Sequence, residues 1–311
     1  MITIYKSDGK QIEKCEKIRE AAWINVVNPT PDELRAIREQ LNILPEYLQY
    51  PLDEEESSRV EKEEDQVLII VRIPETLKEE GGVVRFETIP LGIIVADNIV
   101  VTICLRDTEL LEELEYSRNI ERILNDPVNF IFHIFLQIAS SYLRHLKQID
   151  KLTDQYEEEL HRSLRNQELI RLLNLEKSLV YFNTSLKAND LVMARLESGR
   201  YLPISEENED VLEDALIENQ QAIQMAQVYS DILSGTMDAY ASVISNNLNI
   251  VMKFLTSVTI VLMLPNLVAS IYGMNIPLPF QHSPHAFAIT MGLSFILSAI
   301  VVYIFFKKKL F

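Results

Sequence analysis

The chain has 311 residues, enough for one large domain or two smaller ones with real hydrophobic cores. Its 46 acidic and 29 basic side chains give a net charge of −17, which argues against nucleic acid as a partner because phosphate binding needs clustered Lys and Arg. The mean hydropathy of +0.04 is high for a chain with 24% charged residues, so a strongly apolar segment must offset them.

That apolar segment lies at the C-terminal end. No charged residue occurs between Lys253 and Lys307, and the four charged residues after Asn249 are all Lys. The remaining 25 basic and 46 acidic residues give positions 1–249 a net charge of −21. The pattern predicts an acidic, water-facing body that attracts cations, followed by a membrane segment.

Several classes of protein are disfavoured by what the sequence lacks. The eight glycines have no spacing typical of a P-loop or of a dinucleotide-binding loop, so this chain alone is not expected to hydrolyse ATP. The two cysteines, Cys15 and Cys104, fit a reducing cytosol better than a disulfide scaffold. The first ten residues lack the apolar run of a signal peptide.

Residues 1–125 are predicted to form an α/β domain. Short runs rich in Ile and Val alternate with turns, and a helix is expected from Pro31 with Thr30 as its N-cap and Glu33 completing a capping box. The predicted strands are Met1–Tyr5, Ala22–Val27, Val67–Ile73 and Leu91–Leu105.

The pattern then becomes helical. Residues 126–204 are expected to form an antiparallel pair, which begins at Asp126-Pro127 and returns over Leu164–Glu197. A third helix begins near Ser205 and is predicted to continue to Tyr272, with residues 205–253 as a cytoplasmic stalk.

Two segments, 254–272 and 286–306, each have about the length needed to cross a bilayer. The linker 273–285 is short and forces them into an antiparallel hairpin. Lys253 before the first span and the basic tail 307–311 after the second place both flanks inside by the positive-inside rule. We therefore expect a multi-pass protein of the cell (inner) membrane, in contact with lipid, with both termini and the acidic body in the cytoplasm.

One face of the first span is enriched in small and polar side chains. These recur in steps of three and four at Asn249, Met252, Thr256, Thr259, Met263, Asn266 and Ser270. Polar groups in hydrocarbon usually face a helix partner or water. The stripe therefore predicts either helix packing or the lining of a pore, and a pore would require several copies of the chain.

Directly after this span come Tyr272-Gly273-Met274-Asn275, and with them the chain resembles the CorA family of divalent-cation channels. The family signature is Gly-Met-Asn at the outer end of the first of two C-terminal spans. The resemblance extends over essentially the whole chain, with a less specific match at Arg59-Val60-Glu61. It is strongest over 230–275, including Ser230–Gly235, Asp238, Tyr240, Ser245-Asn246 and Val251–Lys253.

The resemblance implies an α+β membrane protein with a long-helix stalk, assembled as a funnel-shaped homopentamer that takes up Mg²⁺ under the membrane potential. Its outer mouth would be formed by Gly273, Met274 and Asn275, whose carbonyl and amide groups can hydrogen-bond hydrated Mg²⁺ without removing its water. The positions matching the family's pore are Asn249, Met252, Leu255, Thr259, Met263, Asn266 and Ser270.

Two departures from the family pattern concern the ion. Pro265 lies one residue later than the usual Met-Pro pair, and the external loop has no acid after Asn275 but carries His282 and His285. Imidazoles favour Co²⁺, Ni²⁺ or Zn²⁺, which remain alternatives to Mg²⁺. A zinc-transporting branch carries Ile in the middle of the tripeptide, so Met274 argues against it.

The acidic body suggests a sensor. In the family, Mg²⁺ bound between neighbouring subunits holds the pore shut, and Asp214 matches the family's position on the long helix. Glu218 and Asp238 on the same helix are further candidates for the regulatory metal site. The partner acid from the N-terminal domain falls at Tyr50, although acids follow at 53–56, so the partner stays open.

Two functions from other classes are weighed against a channel. A membrane-anchored sensor or scaffold would need neither the polar stripe nor the Gly-Met-Asn mouth. An enzyme is not expected, because no nucleophile–base set or zinc motif is recognisable among the five histidines.

Overall fold

The computed structural model of the chain describes residues 1–7, 12–78, 84–117, 120–163, 166–275, 278–279 and 283–308. The chain divides into two compact units, Met1–Gly235 and Thr236–Phe311, and each is described by itself.

A seven-stranded mixed sheet organises the first unit, in the order β2-β1-β3-β7-β6-β5-β4. Neighbouring strands are antiparallel except β3 and β7, which are parallel. The strands are β1 (Ile2–Ser7), β2 (Ile12–Lys14), β3 (Trp23–Val27), β4 (Arg59–Glu63), β5 (Gln66–Lys78), β6 (Val84–Ala96) and β7 (Ile99–Cys104). The predicted α/β character of the N-terminal region is confirmed.

The strand predicted over Leu91–Leu105 is wrong in one respect, because the structure divides it into β6 and β7. The break falls at Asp97 and Asn98, whose φ angles of 48° and 64° are those of a tight hairpin turn. Apolar residues continue on both sides because the two strands are buried, so hydrophobicity alone did not mark the turn. Strand β4 was not predicted, and β5 and β6 extend further than expected.

The sheet is covered on both faces. Two short helices, α1 (Pro31–Leu41) and α2 (Pro45–Gln49), pack Ile37, Leu41 and Leu48 onto one face. The long helices α5 (Pro127–Ser163) and α6 (Asn166–Glu197) cover the other, where the rings of Tyr142 and Phe182 meet at 5.1 Å. The remaining helices of this unit are α3 (Glu109–Glu115) and α4 (Ile120–Ile123).

The predicted helix ends follow from local hydrogen bonds. Thr30 Oγ1 accepts from the Glu33 backbone N–H at 3.3 Å, and Glu33 Oε2 accepts from the Thr30 N–H at 2.8 Å, so the capping box is confirmed. Asp126 Oδ1 accepts from the Val128 N–H at 2.9 Å and starts α5. Gly199 follows α6 with a φ of 66°.

The longest helix is α7 (Glu206–Tyr272), 67 residues that continue through Gly235 and Pro265 as predicted. It is followed by α8 (Ala286–Lys307), 22 residues. Both are long and apolar enough to cross a membrane, which confirms the two predicted spans at the level of length and composition.

Candidate ion-conduction site

The polar stripe of α7 faces away from the packed side of the second unit. In this unit the buried side chains of α7 include Ser257 and Val268, with Val261 and Leu264 half-buried between them. At 100° per residue these four positions lie opposite the stripe. All seven predicted pore positions are exposed, and they are Asn249, Met252, Leu255, Thr259, Met263, Asn266 and Ser270.

The packed side of α7 is the one that meets α8. Val268 of α7 and Ser294 of α8 are both buried and line the same cavity of about 560 Å³, which also includes Pro265 and Phe287. Packing within the chain therefore centres on the face opposite the stripe. Of the stripe, Asn266 also lines this cavity, and the other stripe positions are not among its lining residues. Of the two interpretations of the stripe, packing against the chain's own second span applies among the described residues to Asn266, and the pore lining stays a prediction.

Two features of the helix shape the stripe locally. Thr259 Oγ1 donates to the Leu255 carbonyl oxygen at 2.8 Å, so this hydroxyl is satisfied within its own helix and needs no helix partner. Pro265 has no N–H, which leaves the Val261 carbonyl without its usual helical donor. The helix nevertheless continues to Tyr272.

The predicted mouth begins where α7 ends. The Gly273 N–H donates to the Ala269 carbonyl at 2.9 Å and the Met274 N–H to the Ile271 carbonyl at 3.2 Å, which closes the last turn. Gly273, Met274 and Asn275 are all exposed. The Asn275 side chain therefore stands at the helix end with its surface open to solvent.

The two histidines of the external loop are not brought into a cluster by the described structure. His282 lies outside the described residues. His285 is exposed and precedes α8, and its backbone N–H donates to Ser283 Oγ at 3.3 Å. Tyr272 reaches the same loop, since its hydroxyl donates to the Pro279 carbonyl at 3.4 Å.

The candidate regulatory acids of α7 differ in their surroundings. Asp214 and Asp238 are exposed. Glu218 is half-buried and accepts a hydrogen bond from Ser140 Oγ of α5, a contact that sequence reasoning missed because the two residues are 78 positions apart. Glu218 is therefore partly occupied by its own chain, whereas Asp214 is open.

The acids at 53–56 are only partly available to a cation. Glu54 pairs with Arg106 at 2.9 Å, and Glu56 pairs with Arg59. Asp53 Oδ1 accepts the N–H of Glu55 at 3.0 Å, which orders the turn. Among the described residues, Asp53 and Glu55 are left without an ion pair, so they are the best candidates here for a shared site.

Tyr50, at the position that matches the family's partner acid, offers no carboxylate. Its ring instead receives the Arg59 guanidinium, 4.6 Å from the ring centroid.

The described residues of one chain do not form a complete metal site. In the part of the chain that the structure describes, no group of three or more His, Cys, Asp or Glu residues is placed to hold a metal ion. Residues 206–252 of α7 nevertheless carry nine acids and no Lys or Arg. This one-signed surface attracts cations, and a bound divalent ion would need ligands from a second copy or from water.

The comparisons with known proteins decide the family. Residues 19–309 match the model of the family described as "CorA-like Mg2+ transporter protein". The chain belongs to this family. It is a family of transporters and not of enzymes, so the expectation that the chain is not an enzyme holds.

Relatives in the family match nearly the whole chain. The Cobalt/magnesium transport protein CorA of Methanocaldococcus jannaschii is 33% identical over 289 residues, 91% of this chain and 89% of its own length. The protein of the same name from Thermotoga maritima is 24% identical over 298 residues, 92% of this chain and 82% of its own length.

The fold agrees with a solved CorA structure. The complete structure of the CorA magnesium transporter from Methanocaldococcus jannaschii superposes with a TM-score of 0.83 at 30% identity, covering 98% of this chain and 97% of that one. The likeness therefore includes the α/β domain, the long helix and both apolar helices. It confirms the CorA resemblance and the fold class, and it sets aside the scaffold and the enzyme.

Proposed function

We propose that this chain transports divalent cations, with Mg²⁺ as the main ion, across the membrane. The pore is lined by one α7 helix from each of five copies. The observation that carries this proposal is the exposed polar stripe of α7, which apart from Asn266 lies away from the cavity shared with α8 and which ends at Gly273-Met274-Asn275. The names of the relatives, which mention magnesium and cobalt transport, support the same choice of ions.

The proposed pore handles the ion with its water. Mg²⁺ loses its water reluctantly, so Asn275 amides and Gly273 carbonyls at the mouth bind the hydration shell rather than the bare ion. Further in, the apolar rings of Met252, Leu255 and Met263 act as constrictions that close by losing water. The polar positions keep a hydrated path: Thr259 lies between these constrictions, Asn249 precedes them, and Asn266 and Ser270 follow them toward the mouth.

The membrane potential is a sufficient driving force. Moving one elementary charge across 100 mV corresponds to about 2.3 kcal/mol, so a divalent ion gains roughly 4.6 kcal/mol, or over a thousandfold in accumulation. Uptake therefore needs no ATP-hydrolysing loop in this chain.

The acidic body serves as the sensor in this proposal. Cytoplasmic Mg²⁺ bridges neighbouring copies through Asp214, with Glu218 and Asp238 as further ligands and with Asp53 or Glu55 as the partner from the N-terminal domain. The nine acids on α7 repel their counterparts in the other copies, and bound Mg²⁺ offsets this repulsion. A weak, water-mediated site suits a sensor of cellular concentrations.

The proposed topology places the termini and the body in the cytoplasm of a cell with an inner membrane. The segments are the α/β domain 1–125, the helical pair 126–204, the stalk 205–253, the spans 254–272 and 286–306, the external loop 273–285 and the tail 307–311.

The decisive experiment is cation flux into liposomes that contain the purified protein, measured separately for Mg²⁺, Co²⁺, Ni²⁺ and Zn²⁺. Asn275→Ala should greatly reduce uptake, because it removes the only polar side chain of the mouth tripeptide. Asn247→Ala is the matched control, since Asn247 is an exposed Asn of α7 that lies off the stripe, whereas Asn275 follows the end of that helix. Near-normal flux with unchanged selectivity in Asn275→Ala would contradict the mouth assignment.

Assembly is tested on the same preparation. Native mass measurement in detergent should give a pentamer for the wild type and for both variants. A stable monomer or dimer would exclude a pore lined by α7, and the order of the four flux rates identifies the preferred ion.

A further inference from the structure

Strand β5 has an open edge near its middle. The described ladder between β4 and β5 ends at the pair Arg59 and Ile70. Two residues further on, Arg72 lies opposite Pro90 of β6, which has no N–H to donate. The backbone N–H and C=O of Arg72 therefore point to the side that β4 no longer covers, where they need another partner.

The side chain of Asn189 on α6 takes the place of the missing strand. The Arg72 N–H donates to Asn189 Oδ1 at 2.9 Å, and Asn189 Nδ2 donates to the Arg72 carbonyl at 2.7 Å. The Tyr142 hydroxyl donates to the same carbonyl at 2.9 Å. A side-chain amide presents a donor and an acceptor as a peptide group does, and Asn189 is only 1% exposed.

The guanidinium of Arg72 holds the acidic loop, which we define as residues 53–58. Its Nη1 donates to the carbonyls of Glu54 and Glu56 at 3.0 and 2.8 Å, and its Nε donates to Thr88 Oγ1 at 3.0 Å. The hydroxyl of Ser58 donates to Asn189 Oδ1 at 2.8 Å. Arg72 and Asn189 thus fix the main chain of the loop, together with the bond from the Glu55 N–H to Asp53 Oδ1, and neither Asp53 nor Glu55 has a described ion pair.

The next residue of α6 extends the contact to α7. Asp190 Oδ1 accepts from Gln220 Nε2 at 2.7 Å and from Asn219 Nδ2 at 3.2 Å. Asn219 is 1% exposed and also donates to the Leu186 carbonyl at 3.2 Å. Because Asn219 lies one residue after Glu218 and five after Asp214, these bonds end beside the candidate regulatory acids.

We propose that Asn189 is a positioning residue that couples the acidic loop to helix α7, so that a cation held by the loop changes the position of the stalk. The coupling runs from the acidic loop through Arg72, Asn189 and Asp190 to Asn219. It rests on the proposed function, because it supplies the intrasubunit part of Mg²⁺ gating. The hydrogen bonds of Asn189 and those of Asp190 are joined by the covalent step between these two neighbours on α6; they are buried at Asn189 and Asn219 and join elements that are distant in sequence.

A double-mutant cycle on the full-length protein tests the coupling. Arg72→Lys keeps the charge but has one nitrogen in place of the guanidinium, so it cannot bond the loop and Thr88 together, and Asp190→Ala removes the bonds from Asn219 and Gln220 of α7 to α6. Each should raise the Mg²⁺ concentration that half-closes the channel by about fivefold or more. If the two links act in series, the double variant shifts no further than the larger single shift. Shifts that multiply would show independent effects and would overturn the proposal.

The matched control is Asn183→Ala. Asn183 Nδ2 donates to Gln227 Oε1 at 2.9 Å, so it is also an α6–α7 bond, but it has no described link to the acidic loop. Its effect should multiply with that of Arg72→Lys. Asn189→Asp is the conservative variant at Asn189 itself, since an Asp still accepts from Arg72 and Ser58 but cannot donate to the Arg72 carbonyl. Like Arg72→Lys, it should raise the Mg²⁺ concentration that half-closes the channel.

A second measurement does not depend on gating. Amide hydrogen exchange without divalent cations should be faster around Asn219 in Arg72→Lys than in the wild type, although Arg72 has no described contact with α7. Unchanged exchange there would overturn the coupling. If instead wild-type flux does not depend on cytoplasmic Mg²⁺ while Arg72→Lys alters exchange around Asn219, the proposed Mg²⁺ gating is contradicted and the coupling is supported.

Discussion

Gly92 lies where the sheet meets the turn that leads into the acidic loop, and a single added methyl group tests the packing there. Gly92 pairs with Ile70 of β5 and with Ile103 of β7, in the buried part of the sheet. A Cβ at this position would lie 2.1 Å from Cγ and 2.7 Å from Cβ of Pro51. Pro51 is buried in the short 3₁₀ turn Tyr50–Leu52, and its ring cannot rotate away as a long side chain would.

The cost of Gly92→Ala follows from that distance. Ordinary contact begins near 3.4 Å, so the Pro51 ring would have to retreat by roughly 1.3 Å. Overpacking of this kind costs about 1–3 kcal/mol, against a gain of about 0.4–1 kcal/mol from the stiffer unfolded chain. We expect a net loss of about 1–2 kcal/mol in the free energy of unfolding. Gly235→Ala is the matched control, because Gly235 lies inside α7 and a Cβ added there would meet no atom within 4 Å apart from the nearby backbone of its own helix. It should be neutral or stabilising by up to about 1 kcal/mol.

The assay uses the single tryptophan of the chain. Trp23 of β3 is fully buried and stacks on the Tyr5 ring at 4.6 Å, so its fluorescence reports unfolding of the same sheet. Denaturant titration of the full-length protein in detergent gives the midpoints for the wild type and the two variants. A Gly92→Ala protein as stable as the wild type would refute the reasoning, since it would mean that Pro51 moves without cost.

Three further predictions use the same preparation. Thr30→Ala should lower the free energy of unfolding by about 1 kcal/mol, because it removes the N-cap of α1. Glu33→Gln should lower it less, since Gln can also complete a capping box. Trp23 fluorescence measures both variants, and equal losses of stability would contradict the prediction. Burial, with a smaller effect of Arg144, lowers the pKa of His145 below its usual value of 6.5. As the pH falls below 6.5 the unfolded chain therefore binds a proton at His145 before the folded chain does, and the free energy of unfolding should decrease. His145→Gln should weaken this dependence of stability on pH in denaturant titrations at several pH values, and an unchanged dependence would contradict the prediction. Asp214→Ala should shift the Mg²⁺ concentration that closes the channel, whereas Asp214→Lys should favour the closed state by supplying a tethered cation; flux against cytoplasmic Mg²⁺ decides, and if neither variant changes it the sensor lies elsewhere.

The parts of the fold that the sequence predicted are those set by neighbours along the chain. The capping box of Thr30 and Glu33 and the start of α5 at Asp126 depend on contacts within one helical turn. The 67 residues of α7 keep one periodicity long enough to outweigh the helix-breaking tendency of Pro265. The hairpin of β6 and β7 was not predicted, because its turn, Asp97-Asn98, interrupts an apolar run by only two residues.

The same distinction between local and distant contacts applies to the candidate site. The stripe and the mouth occupy one helix and the residues after it, so periodicity and a short motif were enough to predict them, while their roles in a pore stay predictions. The partner acid was not predictable, because which of the acids at 53–56 remain unpaired depends on Arg59 and on Arg106, the latter 52 residues from Glu54.

Counting acids along the sequence therefore overstates the loop's affinity for a cation, since two of its four carboxylates are paired with arginines. On α7 the number of acids is a better guide to the unpaired negative charge. The only described ion pair of its nine acids is that of Glu207 with Arg122, at 3.6 Å between exposed side chains. Exposed pairs of this kind contribute little. In the proposed sensor, the unbalanced charge that a divalent cation would neutralise lies on α7, and the acidic loop would contribute mainly by holding one or two ligands at a fixed place.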